Sequence, residues 1–488
     1  MPELATQISN DRLADDEFLR ERQEVMAQWS IEPIDLDEAT AYARNVSSTR
    51  NVSRLLAAAK AESRTLVQPR AGVATLEGQE ALLRELSDAG ADILPVSLDS
   101  MTRTHRFAEA FEALERSSND KSALNGYPIV AHGVSGTRRL VESFDRPLHM
   151  RANAIDLRLA AEVAFASGMS GFVSGPIYST FEYSKKATLA EAIRKWQYVF
   201  RLMAHYTEVG VPIANDSIGL SQSGTYSVPS LMHVGVVLDV LYMAGQGVKH
   251  VMPYSMLQGN LAQDVASCRA VGILTEEYLL RLGFDDVGVY TAGSDWNGAF
   301  PPDEAAAYSL IAMNTLAAAI ARTPLIYVKS IEEGVGIPSA AGNAASVRAT
   351  RFLLHLVHDQ VAAIEPPEAT SELELNLMES RAILDAILDI GDGDPVQGAI
   401  RATEAGVLDV PFSPNVHAHG KVIPMRDAEG AVRFFDSGAL PIPAEAKRIE
   451  QERLERRARK KGSPLAYADV IEDLSFLLTG SGRESASD

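Results

Sequence analysis

RTLVQPRAGVATLEGQEALLRELSDAGADILPVSLDSMTR, residues 64–103, is the stretch on which the fold turns. It opens with a short apolar segment, TLVQP, and closes with another, ILPVSL. Between them runs GQEALLRELSDAG, whose apolar residues recur at helical spacing. A strand, an amphipathic helix and a second strand make a crossover unit, and crossover units build parallel sheets.

The same alternation continues downstream. Short apolar segments recur as YPIVAHGV, RPLHMRAN, GFVSGPIYS, VPIANDS, KHVMPYS, VGVYTAGS and PLIYVKS, most of them separated by helical patterns such as PSLMHVGVVLDVLYMAG. The spacing suits the roughly 30 residues that each strand–helix unit of a TIM (β/α)8 barrel occupies. With the first two, nine candidate strands compete for eight staves, so one is misread or lies outside the barrel. A doubly wound open sheet would carry a Gly-rich phosphate loop after its first strand, and none follows TLVQP. The fold expected is therefore α/β, a TIM barrel over residues 64–360. A helical extension precedes it over 1–63, and a C-terminal α+β extension follows over 361–488.

In that C-terminal part ELELNLMESRAILDAILDIGDG reads as a helix ending at Gly391, and PMRDAEGAVRFFD as a hairpin turning at Glu429-Gly430. KRIEQERLERRARKKG reads as a charged helix with eight basic residues against three acidic. An anionic partner would suit it, but a solvated or subunit-facing helix is the simpler account.

Composition bounds the function. With 65 Asp and Glu against 45 Lys and Arg, the net charge is −20, which disfavours nucleic acid and anionic membranes as bulk partners. A single cysteine, Cys268, excludes an intrachain disulfide framework and any multi-cysteine metal site. The opening residues lack the basic flank and apolar stretch of a signal peptide. No apolar run is expected to reach the roughly 20 residues that span a bilayer. A soluble, cytoplasmic protein is the expectation.

Barrel active sites lie at the C-terminal ends of the strands. Three apolar segments run into arginine there: TLVQPR at Arg70, LPVSLDSMTR at Arg103 and PLHMR at Arg151. Guanidinium is the permanently charged fork that meets a carboxylate bidentately, so three of them over one mouth suit a dicarboxylate, or a phosphate. The competing account is three separate salt bridges with local Asp or Glu. Lys329 ends the last apolar strand, either as a Schiff-base lysine or as a partner of Glu332 or Glu333. His417 and His419, in NVHAHG, have a spacing that metals use on a strand, but no third ligand is evident nearby. His355 and His358 read as helix-surface residues, and Cys268 as a packed helix cysteine.

DDEFLRERQEVMAQW, QPRAGVATLEGQEALLRELSDAGADILPVSLDSMTR, ALNGYP, GNAASVRATR and DVPFSPNVHAHGKVIPMRDAEGAVRFFDSGALP together resemble the large (epsilon) subunit of glutamate mutase, or methylaspartate mutase, almost end to end. The resemblance implies a substrate-binding barrel that works with a separate small subunit carrying adenosylcobalamin. It implies a claw of Arg70, Arg103 and Arg151 on the carboxylates of a five-carbon dicarboxylate. It further implies adenosyl contacts from Gly72, Asn125, Phe300, Lys329, Glu333 and Ile337. The family's cobalamin signature, Asp-x-His-x-x-Gly, is absent from this chain. Adenosylcobalamin is then expected on the partner, in a homodimer of the large subunit within a heterotetramer.

The departures from the resemblance cluster at the amine end. The family's His after its third arginine is Ala152 here, and its ammonium-binding Glu is Val173. The first of two substrate tyrosines is Ser179, with Tyr178 beside it; the second is kept as Tyr183, and Glu182 replaces a proline. Valine neither accepts a hydrogen bond nor balances a charge, so an ammonium placed against it loses its counterion. The resemblance implies an isomerase that rearranges a dicarboxylate by radical chemistry, L-glutamate to 3-methylaspartate in the family, with no catalytic Ser, Cys or His. The departures open a second reading, a relative acting on an amine-free 2-hydroxy or 2-oxo acid. A non-catalytic acid-binding relative is the third.

Overall fold

Eight parallel staves surround a common axis in the computed structural model, which describes residues 8–30, 33–46, 50–118, 122–220 and 226–479. The strands are β1 (Leu66–Pro69), β2 (Leu94–Ser97), β3 (Leu148–Arg151), β4 (Gly171–Val173), β5 (Ala214–Ser217), β6 (His250–Met256), β7 (Gly288–Val289), β8 (Ala292–Ser294) and β9 (Leu325–Val328). Their order is β1-β9-β8-β6-β5-β4-β3-β2, and β7 and β8 pair in turn with β6 as one interrupted stave. The ring closes between β1 and β2 through Asp92 N–H to Val67 O (2.9 Å) and Ser97 N–H to Ala71 O (3.0 Å). Helices cover the outside, so most strand residues are buried on both faces. That is why the strands read as unbroken apolar runs without alternation.

The misread ninth strand is YPIVAHGV. Only Tyr127 bridges to a strand neighbour, Leu98, and Ile129–Glu142 is a helix with a break at Gly133 (φ 65°). A short β-branched run has no periodicity to separate strand from helix. Pro128 stands directly before the first helical residue, Ile129, as the N-cap. His417 and His419 lie in a loop, not on a strand, and no group of three metal-ligating side chains occurs among the described residues.

The helix Glu304–Ala321 is long and apolar enough, by length and composition alone, to cross a membrane, contrary to the expectation of no such run. Here it packs beside β8 and β9, with half of that window buried in protein. Cys268 is buried in the helix Leu261–Arg281, and burial pushes its thiol up to about 12.

N-terminal helices lie against the barrel's outer helices through Arg22–Glu162 (2.9 Å) and Arg158–Glu21 (2.8 Å). At the other end the helix Ala369–Ile390 stops at Gly391 and packs along Leu261–Arg281. The hairpin β10 (Val422–Arg426) and β11 (Val432–Ser437) turns at Glu429-Gly430. The charged helix, Ala444–Lys461, spends several of its basic residues internally. Arg457 pairs with Asp473 (2.7 Å), Lys461 with Asp469 (2.6 Å), and Arg453 with Glu372.

Candidate active site

Register sets what meets at the C-terminal mouth. Pro69 pairs with Val328, so the next residues, Arg70 and Lys329, are neighbours on adjoining staves. His149 pairs with Gly171 and Val173 with Asp216, so Arg151, Val173 and Asp216 come level on β3, β4 and β5. Residues level on adjacent strands face the same way. Arg151 Nη1 accordingly reaches across β4, over Val173, to Asp216 Oδ2 at 3.1 Å. From β9 the Tyr327 hydroxyl donates to the same Oδ2 (2.8 Å), and its ring lies 4.3 Å from the Arg151 guanidinium carbon. Ser174 N–H donates to Asp216 Oδ1 at 3.1 Å.

Burial raises the Asp216 carboxyl above its ordinary value, against the pull of Arg151, the Tyr327 hydroxyl and Ser174 N–H. Burial works against the Arg151 cation, but Asp216 and the Tyr327 and Tyr254 hydroxyls outweigh it and raise its pKa. Below it, His149 has one assignable tautomer. Nε2 faces the Phe172 carbonyl (2.8 Å) and must donate, leaving Nδ1 to accept from Gln68 Nε2 (2.9 Å). Burial, helped by Arg151, pushes His149 down to about 3, so it is neutral.

The three arginines are not equivalent. Arg151 is the last residue of β3 and has a carboxylate of its own, the arrangement of the salt-bridge account. Arg70 follows β1 directly, and its Nη1 donates to the Asn297 side-chain oxygen at 3.2 Å. Arg103 does not end a strand. It closes a helical turn, Ser100–Arg103, six positions past β2, because Asp99 caps that turn by accepting from Met101 and Thr102 N–H. Its Nε reaches only the Asp99 carbonyl, at 3.4 Å. Among the described residues, neither Arg70 nor Arg103 has a carboxylate partner. Arg103 and Tyr183 line one cavity of about 380 Å³, and Arg70, Arg151 and Tyr183 all act electrostatically on the Tyr254 hydroxyl.

Tyr183 is 44% exposed and its ring lies 5.6 Å from that of Tyr178. Tyr178 accepts a hydrogen bond at its hydroxyl from Asn297 Nδ2 (3.2 Å). Ser179 is fully buried, its Oγ 3.3 Å from Ser174 Oγ. Val173 is 1% exposed and packs with Tyr178, Tyr254 and Tyr327, while Ala152 is also buried. The helix that carries these tyrosines, Pro176–Tyr183, starts at a proline and is capped from outside by Asp239 Oδ1 accepting Ile177 N–H (3.1 Å).

Beside Arg70, Lys329 Nζ lies 3.6 Å from Glu333 Oε1 and 5.4 Å from the Phe300 ring centroid. Burial lowers the Lys329 pKa, Glu333 works to restore it, and Arg70 lowers it further. Asp295, which burial pushes up to about 7, accepts the Lys329 backbone N–H (2.6 Å). Asn125 accepts Ser100 N–H at 2.9 Å and so steadies the turn that ends in Arg103. Gly72 permits a close approach, since a Cβ there would lie 2.4 Å from the Ser97 carbonyl oxygen. Ile337 and Val335 are exposed apolar residues just beyond Glu333, at 81% and 67%.

The sequence profile of the methylaspartate mutase E chain matches residues 46–483. The chain belongs to the methylaspartate mutase E chain family. It is 40% identical to the glutamate mutase epsilon subunit of Desulfitobacterium hafniense, over 96% of this chain and 97% of that protein. To the glutamate mutase epsilon subunit of Haloarcula marismortui it is 38% identical, over 97% and 96%. Among solved structures, the tryptophan synthase alpha chain of Legionella pneumophila overlays with a TM-score of 0.35 at 13% identity, covering 62% of this chain and 97% of that one.

Membership of the methylaspartate mutase E chain family makes the chain part of an isomerase. The residues that sequence reasoning missed are Asp216, Tyr327 and Asn297. Asp216 carries the same signal as the arginines, a charge at the end of an apolar strand. Asn297, in a glycine-containing loop, carries no such contrast.

Proposed function

We propose that the chain is the large, substrate-binding subunit of an adenosylcobalamin-dependent carbon-skeleton mutase of the glutamate mutase type. The observation that carries this is the pairing of Arg70 and Arg103, two guanidiniums without carboxylate partners among the described residues, with the Lys329–Glu333 pair at the same mouth. Arg70 and Arg103 take the substrate carboxylates. Arg151, already neutralised by Asp216, offers hydrogen bonds from the pocket floor more than net charge. Tyr183 closes the side of the cavity.

Lys329, Glu333 and Phe300 form a patch suited to an adenosyl group: an ammonium and a carboxylate at 3.6 Å for ribose hydroxyls, with an aromatic face beside them. The Gly72 approach leaves room above Ser97, and Asn125 and the exposed Ile337 complete the rim. When bound, adenosylcobalamin supplies the radical that abstracts a substrate hydrogen. This chain's residues hold the dicarboxylate in one orientation and exclude water, which is where the protein contributes to such chemistry. The cofactor is carried by a separate small subunit, and the large subunits pair within a heterotetramer in the cytoplasm. Residues 64–360 act as the substrate domain between the 1–63 and 361–488 extensions.

L-Glutamate to 3-methylaspartate is the reaction implied by the relatives' names. A second reading, an amine-free dicarboxylate as substrate, is favoured by Val173, an apolar residue lying under the Arg151–Asp216 bridge. Reconstitution with a cobalamin-binding small subunit and adenosylcobalamin, followed by proton NMR of the products, tests the proposal. Skeletal rearrangement of a five-carbon dicarboxylate is expected. Its loss in Arg70→Met supports the assignment, and full activity in that variant refutes it.

A further inference from the structure

We infer that His105 is a positioning residue for the substrate: its ring ties the turn that presents Arg103 to the loop that follows Arg151, and so fixes the spacing of two arginines at the mouth. This rests on the dicarboxylate reading above. Arg103 has little of its own to hold it, since its Nε reaches only the Asp99 carbonyl, at 3.4 Å. Its place is set by the backbone of the turn Ser100–Arg103. Asp99 and Asn125 secure the start of that turn by accepting the N–H groups of Met101, Thr102 and Ser100. Its end is closed by His105 N–H to the Thr102 carbonyl (3.2 Å) and Arg106 N–H to the Met101 carbonyl (2.9 Å). That double closure puts His105 in the left-handed region, at φ 60°. Helices ordinarily place glycine there, because a Cβ crowds the carbonyl that follows.

A side chain kept where the backbone favours glycine is held by what it touches. His105 Nε2 lies 2.9 Å from the Asp156 backbone carbonyl, and facing an acceptor it must donate. The ring also stacks on Phe107 at 5.2 Å, and the buried Phe107 is braced by Trp29 at 6.0 Å. Asp156 is itself anchored. Its carboxylate accepts from Arg158 Nε (2.9 Å) and Nη2 (2.6 Å) and lies 3.5 Å from Lys195 Nζ on the helix Leu189–Glu208. The loop to which Asp156 belongs leaves β3 directly after Arg151. Arg103, His105, Asn153, Asp156 and Tyr183 line one cavity, so the His105 bond runs along the wall of the carboxylate site. A rigid dicarboxylate clamp needs that spacing held before the ligand arrives.

His105→Gly tests this directly, because it supplies the residue that the backbone prefers and removes only the ring. His105→Asn is the second variant, asparagine being tolerant of the left-handed region. The full chain, assembled with its cobalamin-binding subunit, is titrated calorimetrically with glutarate and with L-glutamate. Both variants are expected to keep the denaturant midpoint of the chain and to bind the acids roughly fivefold more weakly, the value of about one hydrogen bond. In an Arg103→Met background, itself weaker, the same substitutions should cause no further loss, since His105 acts through Arg103. An equal loss in both backgrounds overturns the inference, because His105 would then meet the acid directly or disturb the fold at large. Unchanged affinity in both variants overturns it too, as does a loss that appears only together with a lowered midpoint. If neither acid binds the wild-type assembly, the dicarboxylate reading falls as well; if both bind there and in the variants alike, only the role of His105 is removed.

Discussion

Arg151 crosses over Val173 to reach Asp216, and both charged groups are shut away from water. Such a pair is costly to break from one side, because the survivor is left as an uncompensated buried charge. Asp216→Asn should therefore destabilise the fold by about 3–5 kcal/mol, read from denaturant midpoints at unchanged slope. Asp216→Asn should also weaken dicarboxylate binding less than Arg70→Met does, since Arg70 has only the neutral Asn297 to leave behind. Val173→Glu places a second carboxylate between Arg151 and Asp216. It should shift preference toward amine-bearing acids in competitive binding, and no shift would mean that C2 does not lie over β4. Arg70, Arg103 and Arg151 were legible because a guanidinium beside an apolar run stands out against its neighbours. Their inequality was not, since it depends on Asp216, which belongs to a strand far away in sequence and two staves away in space.

Among elements, the loop after β1 and the turn after β2 depend on two close approaches. A Cβ on Gly72 would meet the Ser97 carbonyl at 2.4 Å, and one on Gly126 would meet the same oxygen at 2.7 Å. Backbone cannot move aside as a side-chain tip can. Gly72→Ala should cost about 1–3 kcal/mol and displace Arg70 relative to Lys329, seen as weakened binding of dicarboxylate and adenosyl ligands together in titrations of the assembly. A change in only one of these affinities would contradict a shared loop. The barrel was readable from residues 64–103 outward because each crossover unit repeats one contrast, an apolar run and then a helical period. Where that contrast fails, so does the reading. YPIVAHGV is too short to show a period, and the turn carrying Arg103 is fixed by the Asp99 cap, a local bond that no pattern of apolar residues signals.

Across the whole molecule, buried titratable groups give folding a pH dependence with a definite sign. Burial holds His149 at about 3 and His233 at about 4, against an ordinary 6.5. Arg151 lowers His149 further, and the Asn376 contact of His233 only partly opposes its burial. Below pH 6.5 the unfolded chain takes up protons that these folded histidines refuse, so their contribution to stability is full above 6.5 and shrinks as pH falls toward their folded values. NMR of ring-labelled histidine should show both neutral down to at least about pH 5. Protonation of either near pH 6 would mean that it reaches water. The proposed function makes a second demand on the whole chain: on that proposal the mouth formed by Arg70, Arg103, Lys329 and Glu333 faces a partner that brings the cofactor. Electron paramagnetic resonance of the chain, the cobalamin-binding subunit and adenosylcobalamin, with each candidate acid added in turn, tests this most directly. A coupled cobalt–radical signal that requires both proteins and a dicarboxylate, and that disappears in Arg70→Met, is the expected result. A signal formed without the second subunit, or none with any five-carbon dicarboxylate, would contradict the account.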